Sequence, residues 1–420
     1  MSALRRLRNF WIPWVTTMVL ACFSNAFAQA SYTVTDLGVL HNGDNAVCAM
    51  AVNNQGWTEI MDGNNSGGTS GKLLNGRAVV DIDGLKIDLG TLGGTNSWIW
   101  WDGINDRGVA VGFAETAVPD PNGEDLCGFG TGLTCRPFIW QNGHMSALPT
   151  VGGNNGQASA INNRGQVVGF AETANADPTC PPTPAISPIL WEKGQAHPLP
   201  LVGTDSDGFA NGINDQGQAV GYSGNCFFAT HAVMWKNNTA FVLKDLKGTL
   251  SNVAYVINNL GQIAGKVRSA DGTHYVAALW QPDGTLTTHE PLPGDLDAFA
   301  TGINNQGQVV GNDFDSDFNW SHGFIWQNGV MTDLNTLIPG DSNLSVISAS
   351  NINERGQISG MATVVNGPDA GNIHAYLATP VDASIGTSMA DVVRTLPKII
   401  LPANVGKQLL PRFGPGRFER

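Results

Sequence analysis

Short runs of alternating apolar and polar residues, each bounded by Asn, Asp or Gly, extend along most of the chain. Alternation with a period of two is typical of β-strands that bury one face. The clearest run is Gly302-Ile-Asn-Asn-Gln-Gly-Gln-Val-Val-Gly311. Asn304 with Gly307 three positions later matches a type I turn followed by a left-handed bulge residue, and Val309-Val310 begin a return strand. The run therefore predicts a β-hairpin.

Copies of this hairpin recur through the chain at intervals of 44 to 57 residues. Such self-similarity predicts a solenoid, a propeller or an array. Because Asn and Gly return at the same place in every copy, we interpret them as turn residues and not as ligand-binding residues. Six clear copies begin at Ile104, Ile161, Ile213, Ile257, Ile303 and Ile352, and a diverged first copy begins at Val52.

A second signature follows each hairpin after a variable loop. It is a short apolar strand that usually ends in Trp, as in His322-Gly-Phe-Ile-Trp326, followed by a turn and a fourth strand such as Met331-Thr-Asp-Leu334. Four short strands per unit are typical of a propeller blade. Because each Trp recurs at one structural position, we predict that all of them are core residues. They are Trp140, Trp191, Trp235, Trp280 and Trp326.

These patterns predict an all-β fold, a closed β-propeller of seven four-stranded blades. The last hairpin has a third strand at His374–Ala378 but no good fourth strand after it. The fourth-strand pattern Thr35-Asp-Leu-Gly-Val-Leu40 appears instead near the N-terminus. We therefore expect the strand near Tyr32–Leu40 to complete the last blade and to hide a sheet edge. Six blades remain possible if the diverged first unit is not a full blade.

The two ends of the chain differ from this middle part. Residues 1–30 resemble a signal peptide, with Arg5, Arg6 and Arg8 before a short apolar stretch and small residues near Ala28. We expect an exported protein, extracellular or periplasmic, with no transmembrane anchor; a lipoprotein box at Cys22 is the alternative. Residues 31–380 form the predicted propeller. Residues 381–420 are basic and Pro-containing, and we expect a flexible tail or partner-docking segment.

Charge and cysteine content indicate which classes of partner and which cellular compartment suit the protein. The chain has 22 basic and 35 acidic residues, and the acidic excess lies in the propeller because both ends of the chain are net basic. An acidic surface repels nucleic acid and suits cations, neutral glycans or basic partners, although solubility alone would also explain it. An oxidising compartment permits disulfides. We predict the pairs Cys127–Cys135 and Cys180–Cys226 and a buried free thiol at Cys48.

Three units carry a partial His-Ala-Phe motif at the third strand, and Asp88-Leu-Gly-Thr-Leu-Gly-Gly94 stands between two units. The motif copies are His231-Ala, His322-Gly-Phe and His374-Ala-Tyr. Together with the hairpins, these signatures make residues 32–380 resemble the bacterial HAF-repeat proteins, described as probable extracellular repeats. The resemblance implies an exported repeat domain and no established activity.

The second loop of each unit varies most, and variable loops on a rigid scaffold are the usual place for binding. Asp313, Asp315 and Asp317 alternate in one such loop with the spacing that opens many calcium loops. No cofactor is required, and calcium is a possible ligand there. Exposed tryptophans could stack on sugars or anchor a protein, although packing between blades is the competing interpretation. The candidates are Trp98, Trp100, Trp101 and Trp320.

Catalytic motifs are absent from the sequence: there is no G-x-S-x-G elbow, no H-E-x-x-H and no phosphate loop. We therefore favour a binding or scaffold module that recognises a glycan or a protein at the cell surface or in the periplasm. A secreted polysaccharide-active hydrolase or lyase is the first alternative, because paired carboxylates could meet across the ring. A structural envelope protein is the second.

Overall fold

The computed structural model describes residues 31–40, 46–65, 73–317 and 319–381. The predicted signal peptide and residues 382–420 of the predicted tail lie outside these ranges. The described part is all-β, and its single helical element is a 3-10 turn at Leu334–Thr336. No helix in these ranges is long and apolar enough to span a membrane.

The strands follow one another in seven consecutive groups of four, which we call units 1 to 7. Unit 1 contains β2 (Ala46–Val52), β3 (Thr58–Asn65), β4 (Leu73–Ile82) and β5 (Leu85–Asp88). Unit 2 contains β6 (Gly93–Ile104), β7 (Ala110–Pro119), β8 (Leu133–Gln141) and β9 (His144–Ala147). Unit 3 contains β10 (Gly152–Ile161), β11 (Val167–Ala176), β12 (Pro184–Glu192) and β13 (Gln195–Pro198).

Units 4 to 6 repeat the same plan. Unit 4 contains β14 (Asp207–Ile213), β15 (Ala219–Asn225), β16 (Phe228–Lys236) and β17 (Thr239–Val242). Unit 5 contains β18 (Val253–Ile257), β19 (Ile263–Arg268), β20 (Tyr275–Trp280) and β21 (Leu286–His289). Unit 6 contains β22 (Asp297–Ile303), β23 (Val309–Phe314), β24 (Trp320–Gln327) and β25 (Val330–Asp333).

Unit 7 takes its fourth strand from the other end of the chain. It contains β26 (Leu344–Ile352), β27 (Ile358–Val364), β28 (Ile373–Pro380) and β1 (Tyr32–Gly38). The antiparallel register of β1 on β28 runs from Tyr32 opposite Pro380 to Gly38 opposite Ala375. The predicted pairing of the N-terminal strand with the last unit is therefore present.

Within each unit the strands pair antiparallel in chain order. Units 2 and 3 are joined by a one-residue parallel bridge, and so are units 7 and 1. This up-and-down plan places the motif hairpins and third turns on one side, which we call the hairpin face. The second loops and the inter-unit connectors lie on the opposite side, the loop face. The fold is a β-propeller.

Apolar contacts between neighbouring units form the core. Val109 and Val111 of unit 2 belong to the same buried cluster as Ile189 and Trp191 of unit 3. The five tryptophans that end third strands are all buried, which confirms their prediction as core residues. The indole N–H of Trp191 also donates a 2.8 Å hydrogen bond to the carbonyl of Pro149 in a connector, so a polar atom in the core is satisfied.

The motif contains two glycines, and each is needed for a different structural reason. Gly307 has a φ of +75° in its turn, a conformation that favours Gly. The second Gly lies where two strands approach closely, because a Cβ at Gly169 would overlap the carbonyl of Gln157 across the ladder. The motif therefore encodes both the turn and the tight start of each return strand.

Candidate functional site

The first Asn of each motif has the predicted turn role. The side-chain oxygen of Asn304 accepts hydrogen bonds from the backbone N–H groups of Gln306 and Gln308, both at 3.1 Å. Such hydrogen bonds from the backbone to a side chain stabilise a tight turn. The same arrangement recurs at Asn53, where Gln55 and Trp57 donate.

The amide nitrogen of this Asn has a second role, which links neighbouring units. Each Nδ2 donates to the backbone carbonyl of the equivalent Asn in the next unit, and the last unit donates to the first. Seven bonds therefore form a complete circuit. They run from Asn53 to Asn105 (3.0 Å), Asn105 to Asn162 (3.1 Å), Asn162 to Asn214 (2.9 Å), Asn214 to Asn258 (3.1 Å), Asn258 to Asn304 (2.9 Å), Asn304 to Asn353 (3.1 Å) and Asn353 to Asn53 (2.9 Å).

The following residue of each motif forms a parallel circuit. Its backbone N–H donates to the side chain at the same position in the next unit, and all seven side chains are Asn, Asp or Glu. The bonds run from Asn54 to Asp106 (2.9 Å), Asp106 to Asn163 (2.9 Å), Asn163 to Asp215 (2.8 Å), Asp215 to Asn259 (2.8 Å), Asn259 to Asn305 (2.9 Å), Asn305 to Glu354 (3.1 Å) and Glu354 to Asn54 (2.9 Å).

The two circuits surround a central depression of about 120 Å³ on the hairpin face. Its rim carries the carboxylates of Asp106, Asp215 and Glu354 among amide side chains. Beneath the rim one aliphatic residue of each unit borders the depression, and all but Ile303 are buried, most of them in the apolar clusters between units. These residues are Val52, Ile104, Ile161, Ile213, Ile257, Ile303 and Ile352.

Asp102 lies in the same depression, two positions deeper than Ile104 along β6. Burial and the negative charges of Asp215 and Asp106 raise the pKa of Asp102 to about 7, and a hydrogen bond with Asn351 of unit 7 partly opposes the shift. A half-buried carboxyl with a pKa near neutrality is a candidate for proton transfer or for binding a cation.

An insertion in β6 puts Asp102 there. Ile99 pairs with Gly112 and Ile104 with Ala110, so these two partners on β6 are five positions apart. In β10 the equivalent Ala158 and Ile161 are only three positions apart. The two extra residues make a bulge, which aims side chains away from the ladder.

Trp100 of this bulge contacts aromatic rings of two units. Its ring centroid lies 5.8 Å from that of Phe113 in unit 2 and 6.4 Å from that of Phe209 in unit 4. Trp100 is buried with both partners. The bulge is therefore held by aromatic packing next to the strand positions that line the depression.

Glu59 is a second buried carboxyl next to the bulge. It is 0% exposed, and neither carboxylate oxygen has a hydrogen-bond partner among the described residues. A Cβ added to Gly103 would overlap Oε2 of Glu59, so the carboxyl lies against the β6 backbone beside Asp102. Burial, and next the charge of Asp102, raise the pKa of Glu59 well above its usual range.

The candidate ligand-binding tryptophans lie in the core. Trp98, Trp100 and Trp320 are all buried, and the ring of Trp320 packs 4.8 Å from that of Phe314. A buried ring offers no surface for stacking on a sugar, so the packing interpretation fits these three. Trp101 belongs to β6, but its side chain lies outside the described residues.

The candidate calcium residues are divided among separate roles. Asp313 is buried, and its Oδ2 accepts a 2.6 Å hydrogen bond from the backbone N–H of Leu292. Asp315 accepts from the N–H groups of Asp317 and Asn319 and so closes its own turn. In the described ranges no group of three or more His, Cys, Asp or Glu side chains is placed to hold a metal ion. Calcium binding at this loop stays a prediction.

Both predicted disulfides are present on the loop face, with Cα–Cα distances of 6.1 Å for Cys127–Cys135 and 5.6 Å for Cys180–Cys226. Cys48 is a buried free thiol, as predicted. The second bridge ties the loop of unit 3 to that of unit 4. Two disulfides are consistent with an oxidising, exported compartment.

Other polar groups of the loop face hold the connectors in place. Oε2 of Glu172 accepts from the backbone N–H groups of Asn154 and Asn155. Nδ1 of His374 lies 2.9 Å from Oδ2 of Asp36, and this contact fastens β28 to β1. Nδ1 of His322 lies 2.6 Å from Oδ2 of Asp295. Two histidines of the His-Ala-Phe motif are therefore structural partners of carboxylates.

Sequence reasoning did not find the central depression. It assigned the motif Asn and Asp residues to turns alone, because the lateral bonds become visible only when the units stand side by side. A signal for Glu59 was present, since the other motif copies have Val, Ala or Ser at that position. A signal for the insertion in β6 was also present, because the stretch between Trp98 and Asn105 in unit 2 is longer than the equivalent stretch in other units.

No family model matches the chain, and no curated protein matches it. The resemblance to the HAF-repeat proteins therefore stays a prediction. Among solved structures, the chain is similar to the β-propeller domain of the Trilobed protease from Pyrococcus furiosus. That match has 13% identity, covers 70% of this chain and 81% of the other, and has a TM-score of 0.43.

Two further solved structures show weaker similarity. An acylaminoacyl peptidase from Pyrococcus horikoshii has 12% identity over 83% of this chain, with a TM-score of 0.42, and the chain spans 51% of its length. A gluconolactonase from Xanthomonas campestris has 9% identity over 85% of this chain and 93% of the other, with a TM-score of 0.35. Likeness of this degree carries no activity over to this chain.

Proposed function

We propose that this protein is an exported, closed propeller of seven blades whose central depression binds a lysine side chain of a partner protein. Closure is supported by the two hydrogen-bond circuits, which both return from unit 7 to unit 1. The pairing of β1 with β28 supports it as well. A propeller that leaves only short outer strand edges is a rigid scaffold for a binding site.

The observation that carries the proposal is the charge of the depression. Three carboxylates stand at its rim and Asp102 lies at its floor, and the described residues that line it include no Lys, Arg or His. Arginines of the hairpins lie outside this lining, and the Arg164 guanidinium bonds to Gln166 at 2.5 Å. A concave site of one charge sign attracts a ligand of the opposite sign.

The shape of the depression favours lysine among cationic groups. A lysine side chain has a flexible apolar stem that packs on aliphatic surface while its ammonium group stays with polar partners. A slender stem of this kind would enter a cavity of about 120 Å³, and Asp102 at its floor would receive the ammonium group.

A peptide-binding measurement tests the proposal. Mature protein (residues 31–420) is titrated against a fluorescent tetralysine peptide at about 0.15 M salt, where long-range attraction is screened. We expect binding that disappears when the lysines are acetylated. Absence of binding, or equal binding of the acetylated peptide, would overturn the proposal. A glucosamine oligomer that binds better than the peptide would redirect it to amino sugars.

A matched pair of variants locates the site. Asp106→Asn with Asp215→Asn installs the residue that units 1, 3, 5 and 6 already have at this position. We expect at least about tenfold weaker peptide binding, since two charge contacts are lost. The control is Asp341→Asn with Asp369→Asn, which makes the same charge change at exposed positions of the loop face. An equal loss in the control would mean that net charge alone attracts the peptide.

A hydrolase acting on polysaccharide is the second candidate. The raised pKa of Asp102, about 7, is the property that a general acid needs at neutral pH. This candidate predicts release of short products from some polymer and loss of that release in Asp102→Asn. Binding of tetralysine without any product release would favour the binding module.

A further inference from the structure

Two departures from the repeat meet at one point between units 1 and 2. Glu59 occupies the position that Val111, Val168 and Val220 occupy in other copies. The facing strand β6 carries the two-residue insertion that contains Asp102. The insertion that carries Asp102 breaks the local rule of the repeat, and such departures are expected to serve function.

The two carboxyl groups differ in what they face. Asp102 is half-buried and lines the depression. Glu59 is fully buried behind it, with Gly103 between the two side chains. Two neighbouring carboxyl groups in a poorly solvated place do not both ionise readily. The more accessible Asp102 is therefore the one that ionises, and Glu59 keeps its proton.

We propose that Asp102 is the residue that contacts the ammonium group of the ligand, and that Asp102 loses one proton when the ligand binds. This inference rests on the proposed function. In the step, the carboxyl group of Asp102 releases its proton to solvent and the resulting carboxylate pairs with the incoming ammonium group. No covalent bond to the ligand forms or breaks.

Among the described residues, Asp102 faces carboxylates, one protonated carboxyl group and one amide. Asp106 and Asp215 face it from the hairpins of units 2 and 4, Glu59 from β3, and Asn351 bonds to it from β26. Glu354 adds charge beyond Asp106 at the rim. The arginines of the hairpins stand at the exposed tips; they are Arg107, Arg164 and Arg355.

The linkage gives a defined pH dependence. A lysine ammonium stays charged between about pH 6 and 8 because its own pKa is about 10.4. With the pKa of Asp102 at about 7, ionising Asp102 limits binding at the lower pH. Affinity for tetralysine should therefore rise about tenfold from pH 6 to 8. The number of protons released per ligand should fall from near one to near zero.

Calorimetry of tetralysine binding in two buffers of different ionisation enthalpy measures both quantities. Asp102→Asn should bind weakly at both pH values and release no proton. Asp106→Asn with Asp215→Asn keeps Asp102 and should move the pH midpoint downward, since two charges that raise the pKa are removed. Glu59→Val should leave proton release and its pH dependence unchanged, because Glu59 is protonated throughout.

Each outcome has one meaning. Absence of tetralysine binding at every pH overturns the proposed function and this inference together. Binding without proton release, or release that survives in Asp102→Asn, overturns this inference alone. Loss of release in Glu59→Val would assign the proton to Glu59 and contradict the role given to Asp102. Far-ultraviolet circular dichroism establishes that each variant is folded before binding is measured.

Discussion

The side-chain amide of Asn353 donates a 2.9 Å hydrogen bond to the backbone carbonyl of Asn53, 300 residues earlier in the chain. The same bond type joins each unit to the next. A residue selected for turn geometry therefore also fixes the distance and orientation between neighbouring units. This bond holds unit 7 to unit 1. The strand β1 does so as well, because it pairs with β28 of unit 7 and leads along the chain into unit 1.

Replacing Asn353 by Ala should weaken this junction. The change removes one of two donors from the carbonyl of Asn53, which keeps its bond from the N–H of Gly56. It also leaves the N–H groups of Arg355 and Gln357 without the side-chain oxygen that accepts from them. Leaving such groups unsatisfied costs about 1–3 kcal/mol of unfolding free energy. Urea denaturation measures it, with Thr239→Ala on the exposed strand β17 as the control. Equal effects of both substitutions would contradict the role of the circuit.

Removing residues 31–40 should destabilise the propeller. The deletion takes away β1, whose Tyr32 is buried, and exposes the edge of β28. We expect a loss of at least about 3 kcal/mol, the usual cost of emptying a buried aromatic site, together with self-association through the free edge. Denaturation and size-exclusion chromatography test this. Unchanged stability would mean that β1 is dispensable.

The two disulfides should differ in their effect on stability. Cys180–Cys226 closes a loop of sequence separation 46, whereas Cys127–Cys135 closes one of 8. The chain-entropy model gives about 4 kcal/mol for the first and about 2.5 kcal/mol for the second. Replacing each pair by Ser and measuring the midpoint of unfolding compares them. A larger loss at Cys127–Cys135 would show that local packing outweighs loop closure.

Glu59→Val should stabilise the protein near neutral pH. The substitution installs the commonest side chain of the other copies and removes a buried polar group that has no hydrogen-bond partner among the described residues. We expect a gain of about 1–3 kcal/mol in unfolding free energy. Chemical denaturation at about pH 7 measures it. A loss of stability would show that Glu59 makes a favourable interaction in its native place.

Stability should fall as the pH rises from about 4.5 to about 8. The folded-state pKa is raised to about 7 for Asp102 and Asp207 and to about 8 for Asp313, with burial as the first cause in each. In that window the folded chain holds protons that the unfolded chain has released, so rising pH favours unfolding.

One group acts in the opposite sense. Burial lowers the pKa of Lys266 to about 7, so the unfolded chain holds the extra proton above that pH and rising pH favours folding. Urea denaturation across the pH range measures the sum, and Asp313→Asn should flatten its falling part. A stability maximum at pH 8 would contradict the assignment of these buried groups.

The sequence predicted most of the scaffold because its determinants are local or periodic. Turn chemistry at Asn304 and Gly307 is decided within four residues, and the recurring Trp marks the third strand. The cysteine pairs were predictable because they lie in the same or equivalent loops. The fourth-strand pattern at Thr35–Leu40 predicted that the N-terminal strand joins the last unit, because that unit had no fourth strand of its own.

The candidate site was not predictable in the same way. Whether Trp100 faces solvent or fills the centre depends on the inserted residues of β6, whose direction no local pattern gives. The circuits through Asn53 and Asn54 need partners 52 residues away, in another unit. Because the motif repeats, the sequence indicates a structural role for every motif position, including the acidic residues Asp106 and Asp215.

The central claim is that the lysine-binding site is the depression on the hairpin face. Carbodiimide coupling of bound tetralysine tests this directly, because it joins a primary amine to the nearest carboxylate as an amide. Mass spectrometry of the digested product should place the peptide on Asp102 or on the rim carboxylates Asp106, Asp215 and Glu354. Attachment confined to the loop face, at Asp120–Asp125 or Asp313–Asp317, would contradict the account.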